Sequence, residues 1–264
     1  MHDHNRRAWD EMVRDKQRFT RPARDEDFAN PLQTVDALGW LGGDIRGQRV
    51  LCLAAGGGKH GPLYAAAGAL VTVVDISPAQ LELDREVAAE RKLELKTVEA
   101  SMDNLLCFPT GEFDIVIQPV STCYVPQIGP VYTEVARITR PGGLYVSQHK
   151  TPQSLQADTQ ATSKGYELSE PYYRTGPLPP VVGSRHREEG TLEYLHRWDE
   201  ILGLMCRSGF VIEDLVEPLH AKPESVPGSW EHRSRFVAPY VRIKARRKGD
   251  VVASANTSRL WLPT

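Results

Sequence analysis

A short apolar run that leads directly into a cluster of glycines is the feature that most restricts the fold of this chain. Residues 49–54 are apolar after the first position; Gly56, Gly57 and Gly58 follow, ahead of a helical pattern at 61–68. A strand with a continuous apolar run is typical of a parallel sheet that is covered on both faces. Glycines after such a strand let the backbone approach a ligand beside the free N–H groups of the next helix. The run therefore predicts an α/β protein with a ligand site at this turn.

Further apolar runs repeat the alternation of strand and helix along the chain. They lie at 71–74, 113–117 and 144–147, with helical patterns at 78–92 and 127–139 in between. Parallel strands joined by helices need right-handed crossovers, so the pattern predicts a doubly wound sheet with helices on both faces. Later patterns are an apolar alternation at 192–196, a helix at about 198–207, and strands near 210–216 and 235–246.

Two segments fall outside this alternation. Residues 1–44 contain helical patterns at 5–19 and 31–40, and we expect them to form an N-terminal helical cap. Residues 151–193 are rich in Pro, Gly and Tyr, and a long irregular stretch inside a compact domain is often functional. We predict that this stretch is a lid that binds the acceptor, meaning the substrate on which the protein acts. The candidate rings for the inner face of the lid are Tyr166, Tyr172 and Tyr173.

An acidic residue ends the second predicted strand, 19 residues after Gly56. This residue, Asp75, is followed by Ser77, Pro78 and Gln80, which together are typical of a helix N-terminus. A carboxylate at this place can accept hydrogen bonds from both hydroxyls of a ribose. The glycine cluster and Asp75 together indicate a cofactor that contains adenosine.

Two classes of cofactor fit these residues. Gly56, Gly58 and Gly61 spell G-x-G-x-x-G, the pattern of dinucleotide binding, so NAD and an oxidoreductase are one possibility. The wider pattern resembles the class I S-adenosylmethionine-dependent methyltransferases over about residues 45–150. The resemblance depends on the glycine cluster, on Asp75, on a Phe-Asp pair that opens the fourth strand and on a Pro-Gly-Gly turn before the fifth.

The resemblance implies a Rossmann-like fold with a mostly parallel seven-stranded sheet, and S-adenosyl-L-methionine as the cofactor. The methyltransferase domain would cover residues 45–264, with the lid inserted after the fifth strand. Two departures from the family pattern stand out: Cys52 replaces an acidic residue, and Ala54 replaces the first glycine of a triplet. The residues that the resemblance assigns to cofactor binding are Ala54, Gly56, Gly57, Gly58, Asp75, Ile76, Ser101, Met102 and Gln118.

Candidates for the chemistry lie near the carboxyl ends of the fourth and fifth strands. His149 is the strongest candidate for a general base, because its ordinary pKa near 6.5 suits proton transfer. Tyr124 could orient an acceptor through its hydroxyl group. Cys123 is less suited as a nucleophile, because a free cysteine is usually a small buried apolar residue.

Charge and composition narrow the acceptor. The chain has 32 Lys and Arg against 34 Asp and Glu, which supplies no general positive field for nucleic acid. The basic residues between 233 and 248 fit an edge strand better than a phosphate-binding surface. We therefore predict a small-molecule acceptor, with a nucleic-acid or protein methyltransferase and a non-catalytic binding module as alternatives.

The remaining expectations concern location and metal. The four cysteines are scattered and no metal-ligand spacing occurs, so we expect reduced thiols, a cytoplasmic protein and no metal. The first residues lack the apolar core of an export signal, and no apolar stretch reaches the length of a membrane span. The acceptor atom (O, N, S or C) and the oligomeric state stay open.

Overall fold

The computed structural model describes residues 1–249 of the chain, so residues 250–264 of the predicted domain 45–264 lie outside the described residues. A seven-stranded sheet forms its centre, with the strand order β3-β2-β1-β4-β5-β7-β6. The strands are β1 (Arg49–Leu53), β2 (Leu70–Asp75), β3 (Leu95–Glu99), β4 (Phe113–Gln118), β5 (Thr139–Lys150), β6 (Phe210–Val216) and β7 (Tyr240–Arg247).

The strand pairing confirms the predicted doubly wound, mostly parallel sheet. Strands β1 to β5 pair in parallel, whereas β7 pairs antiparallel with both β5 and β6. The chain order reverses on either side of β1, and such a switch opens a crevice at the carboxyl ends of the strands. Asp75, at the end of β2, borders that crevice.

Helices cover both faces of the sheet. Ser77 begins α4 as the sequence predicts, since its Oγ accepts a hydrogen bond from Gln80 N at 3.1 Å. The α-helices are α1 (His2–Arg14), α2 (Pro31–Val35), α3 (His60–Ala66), α4 (Pro78–Arg91), α5 (Gly129–Ile138), α6 (Pro152–Gln156), α7 (Leu204–Arg207) and α8 (Trp230–Arg233). A π-helical turn, Asp199–Gly203, leads into α7, and 3₁₀ turns lie at Arg18–Thr20, Asp25–Phe28 and Thr122–Tyr124.

Strand β1 shows why its run of apolar residues is continuous. Val50 and Cys52 pack on the face covered by α2 and α3, while Leu51 and Leu53 pack on the face covered by α5. All four side chains are fully buried. Cys52 therefore occupies a dry position, and an acidic residue there would be costly without a partner.

The structure differs from the sequence-based predictions at four places. The helix predicted at 31–40 ends at Val35, because the Asp36 carboxylate accepts hydrogen bonds from the N–H groups of Trp40 and Leu41. The Pro-Gly-Gly segment lies inside β5, where the pairing with β4 shifts in register. No strand forms at 192–196, and β7 lies between two strands and not at an edge.

The basic stretch 233–248 is largely paired within the fold. Arg242 Nε donates to Gln148 Oε1 of β5 at 2.8 Å, and Lys244 and Arg246 contact Glu213 of β6. Arg233 is buried and donates to backbone carbonyls at the start of the predicted lid. Among residues 1–249, no helix combines the length and the apolar character that a membrane crossing needs.

Candidate active site

A cavity of about 530 Å³ lies along the carboxyl edge of the sheet. Because β2 and β3 lie on one side of β1, and β4, β5 and β7 on the other, the cavity has two halves. The first half is bordered by residues of the β1, β2 and β3 ends, among them Ala54, Gly56, Gly57, Asp75, Ile76, Ser101 and Met102. The second half is bordered by Ser121, Tyr124, Gln148, Arg185, Glu188, His220, Trp230 and Tyr240.

The glycine loop lies close to the side chain of Gln80. A Cβ atom at Gly57 would be 2.7 Å from Gln80 Oε1, and Gly57 has a φ of +113°. Gln80 is buried, borders the cavity, and its Oε1 has no hydrogen-bond donor within residues 1–249. A donor on a bound ligand could satisfy this oxygen. Gly57 and Gln80 thus form a cradle that a side chain would fill.

Gly58 has a different role from the one predicted. Its Cβ position lies 2.9 Å from the carbonyl oxygen of Leu83 and 3.1 Å from Val87 Cγ2, both in α4. Gly58 does not border the cavity. With a φ of +72°, its lack of a side chain lets the loop pack closely on the helix.

Ala54 has a left-handed backbone, with a φ of +48°. A residue with a Cβ atom is strained there, so Ala54→Gly should raise the free energy of unfolding by about 0.5–1 kcal/mol without weakening ligand binding. Denaturant unfolding checks the stability, and calorimetry the binding. Ala55→Gly is the matched control, because Ala55 is buried and has no positive φ, and it should lower stability. Equal losses in both variants would contradict the expectation.

Asp75, the predicted ribose-binding carboxylate, accepts hydrogen bonds from two backbone N–H groups. Its Oδ2 accepts from Gly56 N at 3.0 Å and its Oδ1 from Ser77 N at 2.9 Å. Burial raises its pKa to about 6, although the N–H groups of Ser77, Gly56 and Ile76 act in the opposite direction. The carboxylate borders the cavity and is ionised at neutral pH.

A second carboxylate supports the glycine loop from α4. Asp84 is fully buried, and its Oδ2 accepts from Gly57 N at 2.9 Å. Burial raises its pKa to about 7. Sequence reasoning missed this residue because an acid in the middle of a helix is usually exposed.

The loop after β3, which contains the predicted cofactor-binding residues Ser101 and Met102, borders the first half. Met102 is buried, and its Sδ accepts from Gln118 Nε2 at 3.2 Å. Ser101 Oγ donates to Asp103 Oδ1 at 2.5 Å and lies 3.2 Å from His2 Nε2. Gln118 does not border the cavity itself. It lies behind Met102 and Ser121, which do border the cavity. Tyr145 donates a hydrogen bond to its Oε1, and its Nε2 also donates one to Ser121 Oγ.

The structure does not bring His149 to the cavity. Its Nδ1 lies 2.8 Å from Thr122 Oγ1 and its Nε2 lies 2.8 Å from Ser147 Oγ, so both ring nitrogens have partners. The ring is 1% exposed, and burial lowers its pKa to about 3. The neighbouring residue Gln148 borders the cavity instead, since successive residues of a strand point in opposite directions.

Tyr124 borders the second half and belongs to a buried polar network. Its hydroxyl donates to Glu188 Oε2 at 2.8 Å. Lys150, at the end of β5, contacts Glu188 at 2.6 Å and Glu193 at 2.9 Å, and Arg187 contacts Glu193 at 2.7 Å. Burial alone would raise the pKa of Glu188, but the Lys150 ammonium holds that pKa below its usual range. Burial also raises the pKa of Tyr124, which therefore stays neutral.

Helix α1 covers part of the cavity at the carboxyl edge of the sheet. The buried Asn5 donates to the carbonyl oxygens of Tyr124 and Leu192 at 3.1 Å and accepts from Leu192 N at 2.8 Å. At the other half, Asp10 accepts from Ser77 Oγ at 2.6 Å. Trp9 borders the cavity, and its ring meets the Tyr124 ring edge to face at 5.6 Å.

The predicted lid contributes different residues from those expected. Tyr166 Oη contacts His232 Nδ1 at 2.8 Å, Tyr172 Oη accepts from Trp198 N, and Tyr173 is 77% exposed. None of the three borders the cavity, whereas Arg185 and Glu188 of the same segment do. The irregular composition located the segment, but it did not show which side chains turn inward.

Two further residues, His196 and Cys123, have the contacts or surroundings of structural residues. The Nε2 atom of His196 lies within hydrogen-bond distance of the carbonyl oxygens of Thr122 and Val125, at 2.9 and 3.0 Å. Cys123 is buried, and burial raises the pKa of its thiol, so it has the properties of a packing residue. No group of three or more His, Cys, Asp or Glu in the described part of the chain could hold a metal ion.

Comparisons with known proteins agree with this geometry. A family described as "Methyltransferase domain" matches residues 51–147. The chain is 31% identical to the uncharacterized methyltransferase YbaJ of Bacillus subtilis over 229 residues, which are 81% of this chain and 89% of that protein.

Solved structures show the same fold. An S-adenosylmethionine dependent methyltransferase from Mesorhizobium loti superimposes with a TM-score of 0.63 at 21% identity, over 80% of this chain and 97% of that one. A second structure is the geranyl diphosphate C-methyltransferase of Streptomyces coelicolor, solved with geranyl diphosphate and S-adenosyl-L-homocysteine. It superimposes with a TM-score of 0.57 at 17% identity, over 80% of this chain and 76% of that one.

Proposed function

Because the chain belongs to the class I S-adenosylmethionine-dependent methyltransferases, we propose that it methylates a small molecule held in the second half of the cavity. The observation that carries this proposal is the cover over that half. Helix α1 and residues 185–192 are joined across it by the hydrogen bonds of Asn5. The volume of about 530 Å³ covers both halves of the cavity, and it lies within the range of roughly 300–1,000 Å³ that is usual for small-molecule sites.

The first half has the residues to hold S-adenosylmethionine. Asp75 offers carboxylate oxygens for the ribose, the Gly57 cradle leaves room beside the buried Gln80 oxygen, and Met102 offers an apolar surface for the adenine. When bound, this cofactor supplies a methyl group activated on a positively charged sulfur. We propose Ala54, Gly56, Ile76 and Ser101 as further binding residues, since they border the same half.

The second half would position the acceptor and receive its proton. Glu188 stays ionised and can accept a hydrogen bond from an acceptor N–H or O–H, while Tyr124 can accept one at its hydroxyl oxygen. His220 borders the cavity, and burial together with Arg242 lowers its pKa, so its ring is neutral at pH 7. A neutral imidazole can take the proton that the acceptor releases. Helix α1 and residues 185–192 would keep water away from the activated methyl group when the cofactor is bound.

Family membership decides against the NAD-dependent alternative that the glycine pattern allows. Gly58, the second glycine of that pattern, faces α4 and not the cavity. The wider fold and the relatives are those of methyltransferases. A nucleic-acid or protein substrate is the alternative that an experiment has to separate.

A partition experiment tests the small-molecule proposal. Cell extract is separated by ultrafiltration into small molecules and macromolecules, and each fraction is incubated with the enzyme and radiolabelled S-adenosylmethionine. We expect label to enter the small-molecule fraction in amounts that depend on enzyme. The Asp75→Ala variant provides the background, because its cofactor binding should be weak. Enzyme-dependent label in RNA or protein alone would contradict the proposal.

A further inference from the structure

Three arginines at the mouth of the cavity have no side-chain hydrogen bond or ion pair within the described part of the chain. Arg18 and Arg21 follow α1, and Arg185 lies in the lid segment; all three are exposed and border the cavity. Within residues 1–249, Arg14 is the other arginine without a hydrogen bond or ion pair, and it does not border the cavity. Guanidinium groups without such a bond are thus concentrated at this mouth, whereas most arginines among residues 1–249 bind carboxylates or carbonyl groups.

The charges that border the cavity do not balance. Arg18, Arg21, Arg185 and Lys59 face two carboxylates, those of Asp75 and Glu188. Glu188 is already paired with the buried Lys150. S-adenosylmethionine itself carries a net charge of about +1 near neutral pH, from its sulfonium, ammonium and carboxylate groups, and so increases the positive excess. The carboxylate of the cofactor can pair with one of these four cations, and the positive charge that remains faces the acceptor.

An aromatic wall stands beside these cations. The rings of Trp230 and Tyr240 have centroids 5.8 Å apart, and His220 lies 5.9 Å from the first and 5.7 Å from the second. All three border the second half of the cavity. Such a group of rings favours a flat, unsaturated ligand, because aromatic pairs attract when they stack or meet edge to face.

We propose that the acceptor is a planar aromatic or conjugated molecule with an anionic group, a carboxylate or a phosphate. Its ring would lie against Trp230, His220 and Tyr240, and its anionic group would be bound by Arg185 with Arg18 and Arg21. Arginine suits this role, since its planar group binds both kinds of oxyanion through paired hydrogen bonds. This inference rests on the proposed small-molecule function and specifies the class of substrate.

Binding of simple probes tests the inference apart from activity. The full chain is loaded with S-adenosylhomocysteine, and calorimetry compares 2-naphthoate, 2-naphthyl phosphate, neutral 2-naphthamide and the saturated cyclohexanecarboxylate. We expect at least one of the two anionic aromatic probes to bind about tenfold more tightly than the amide, as a charge-assisted hydrogen bond would give. We also expect that probe to bind more tightly than cyclohexanecarboxylate. Whichever of 2-naphthoate and 2-naphthyl phosphate binds more tightly shows whether the site prefers a carboxylate or a phosphate.

Matched variants locate the effect. Arg185→Gln should remove most of the preference for the anionic probe and leave the affinity for S-adenosylhomocysteine unchanged. Arg14→Gln, at an exposed arginine away from the cavity, should change neither. The inference would be overturned if the amide and both anions bind equally, or if no probe binds. It would also be overturned if Arg185→Gln and Arg14→Gln have the same preference for the anionic probe.

The outcomes also separate the two proposals. If a neutral or saturated small molecule proves to be the methylated acceptor, the small-molecule function stands and the substrate class proposed here is wrong. If RNA competes for Arg185 and is the only methylated material, both are wrong.

Discussion

Lys150→Met should lower the free energy of unfolding by about 3–5 kcal/mol, because it leaves the Glu188 and Glu193 carboxylates buried without their shared cation. The side chains of Lys150, Glu188 and Glu193 are 2%, 7% and 0% exposed. Arg187 remains beside Glu193, so Glu188 suffers most. Denaturant unfolding at neutral pH measures the loss.

The pH dependence of this loss identifies its cause. In the wild type, Glu188 has a pKa below its unfolded value, so its stabilising contribution is present at neutral pH and is lost as the pH falls through the folded pKa. In the variant the Glu188 pKa should rise, and protonation then relieves the unpaired charge. The difference between the two proteins should therefore shrink as the pH is lowered.

A matched lysine provides the control. Lys244 contacts Glu213 at 3.4 Å near the surface, with 21% of its side chain exposed. Lys244→Met should cost no more than about 1 kcal/mol, as is usual for exposed ion pairs. Similar losses in both variants, or a pH-independent loss for Lys150→Met, would show that the buried network is not responsible.

Asp75→Ala should weaken the binding of S-adenosylhomocysteine by about 1.5–3 kcal/mol, which is the contribution of hydrogen bonds to a charged group. Calorimetry measures the affinity, and thermal unfolding confirms that the variant is folded. Arg14→Gln again serves as a control away from the cavity. Unchanged affinity in Asp75→Ala would show that this carboxylate does not bind the ribose.

The raised pKa of Asp75 adds a pH test with a defined sign. The ribose hydroxyls are best bound by the ionised carboxylate, and in the free protein Asp75 takes up a proton as the pH falls below about 6. Wild-type affinity should therefore fall below that pH, and the Asp75→Ala variant should lack this contribution. Because the folded-state pKa is above the unfolded value, ionised Asp75 destabilises the free protein at higher pH. Removing it should therefore cost less stability at pH 8 than at pH 5.

The sequence predicted the parts of the fold that depend on local periodicity. The continuous apolar run of β1 exists because both faces of that strand are buried, and such a pattern is visible without any tertiary information. Asp75 was equally accessible to prediction, since its place depends on a strand end and on the start of a helix, Ser77, directly after it.

Residues positioned by long-range packing were not predictable in this way. Glu188 and Arg185 lie in an irregular segment that has no period to show which side chains turn inward. His149 and Gln148 are neighbours, and an error of one residue in the facing of the strand predicted His149 at the cavity, where Gln148 lies. Asp84 resembles any charged residue of a helix until Gly57 is seen to donate to it.

We expect helix α1 to couple the two binding events thermodynamically. Hydrogen bonds through Asp10 and Asn5 hold it to both halves of the cavity, so a ligand in either half would restrain further a helix that borders both. The ligand that binds second would then cause a smaller loss of conformational entropy than it would alone, and this is positive cooperativity. Thermodynamic linkage makes this effect reciprocal. The acceptor should therefore raise the affinity of the protein for the cofactor by the same factor by which the cofactor raises its affinity for the acceptor.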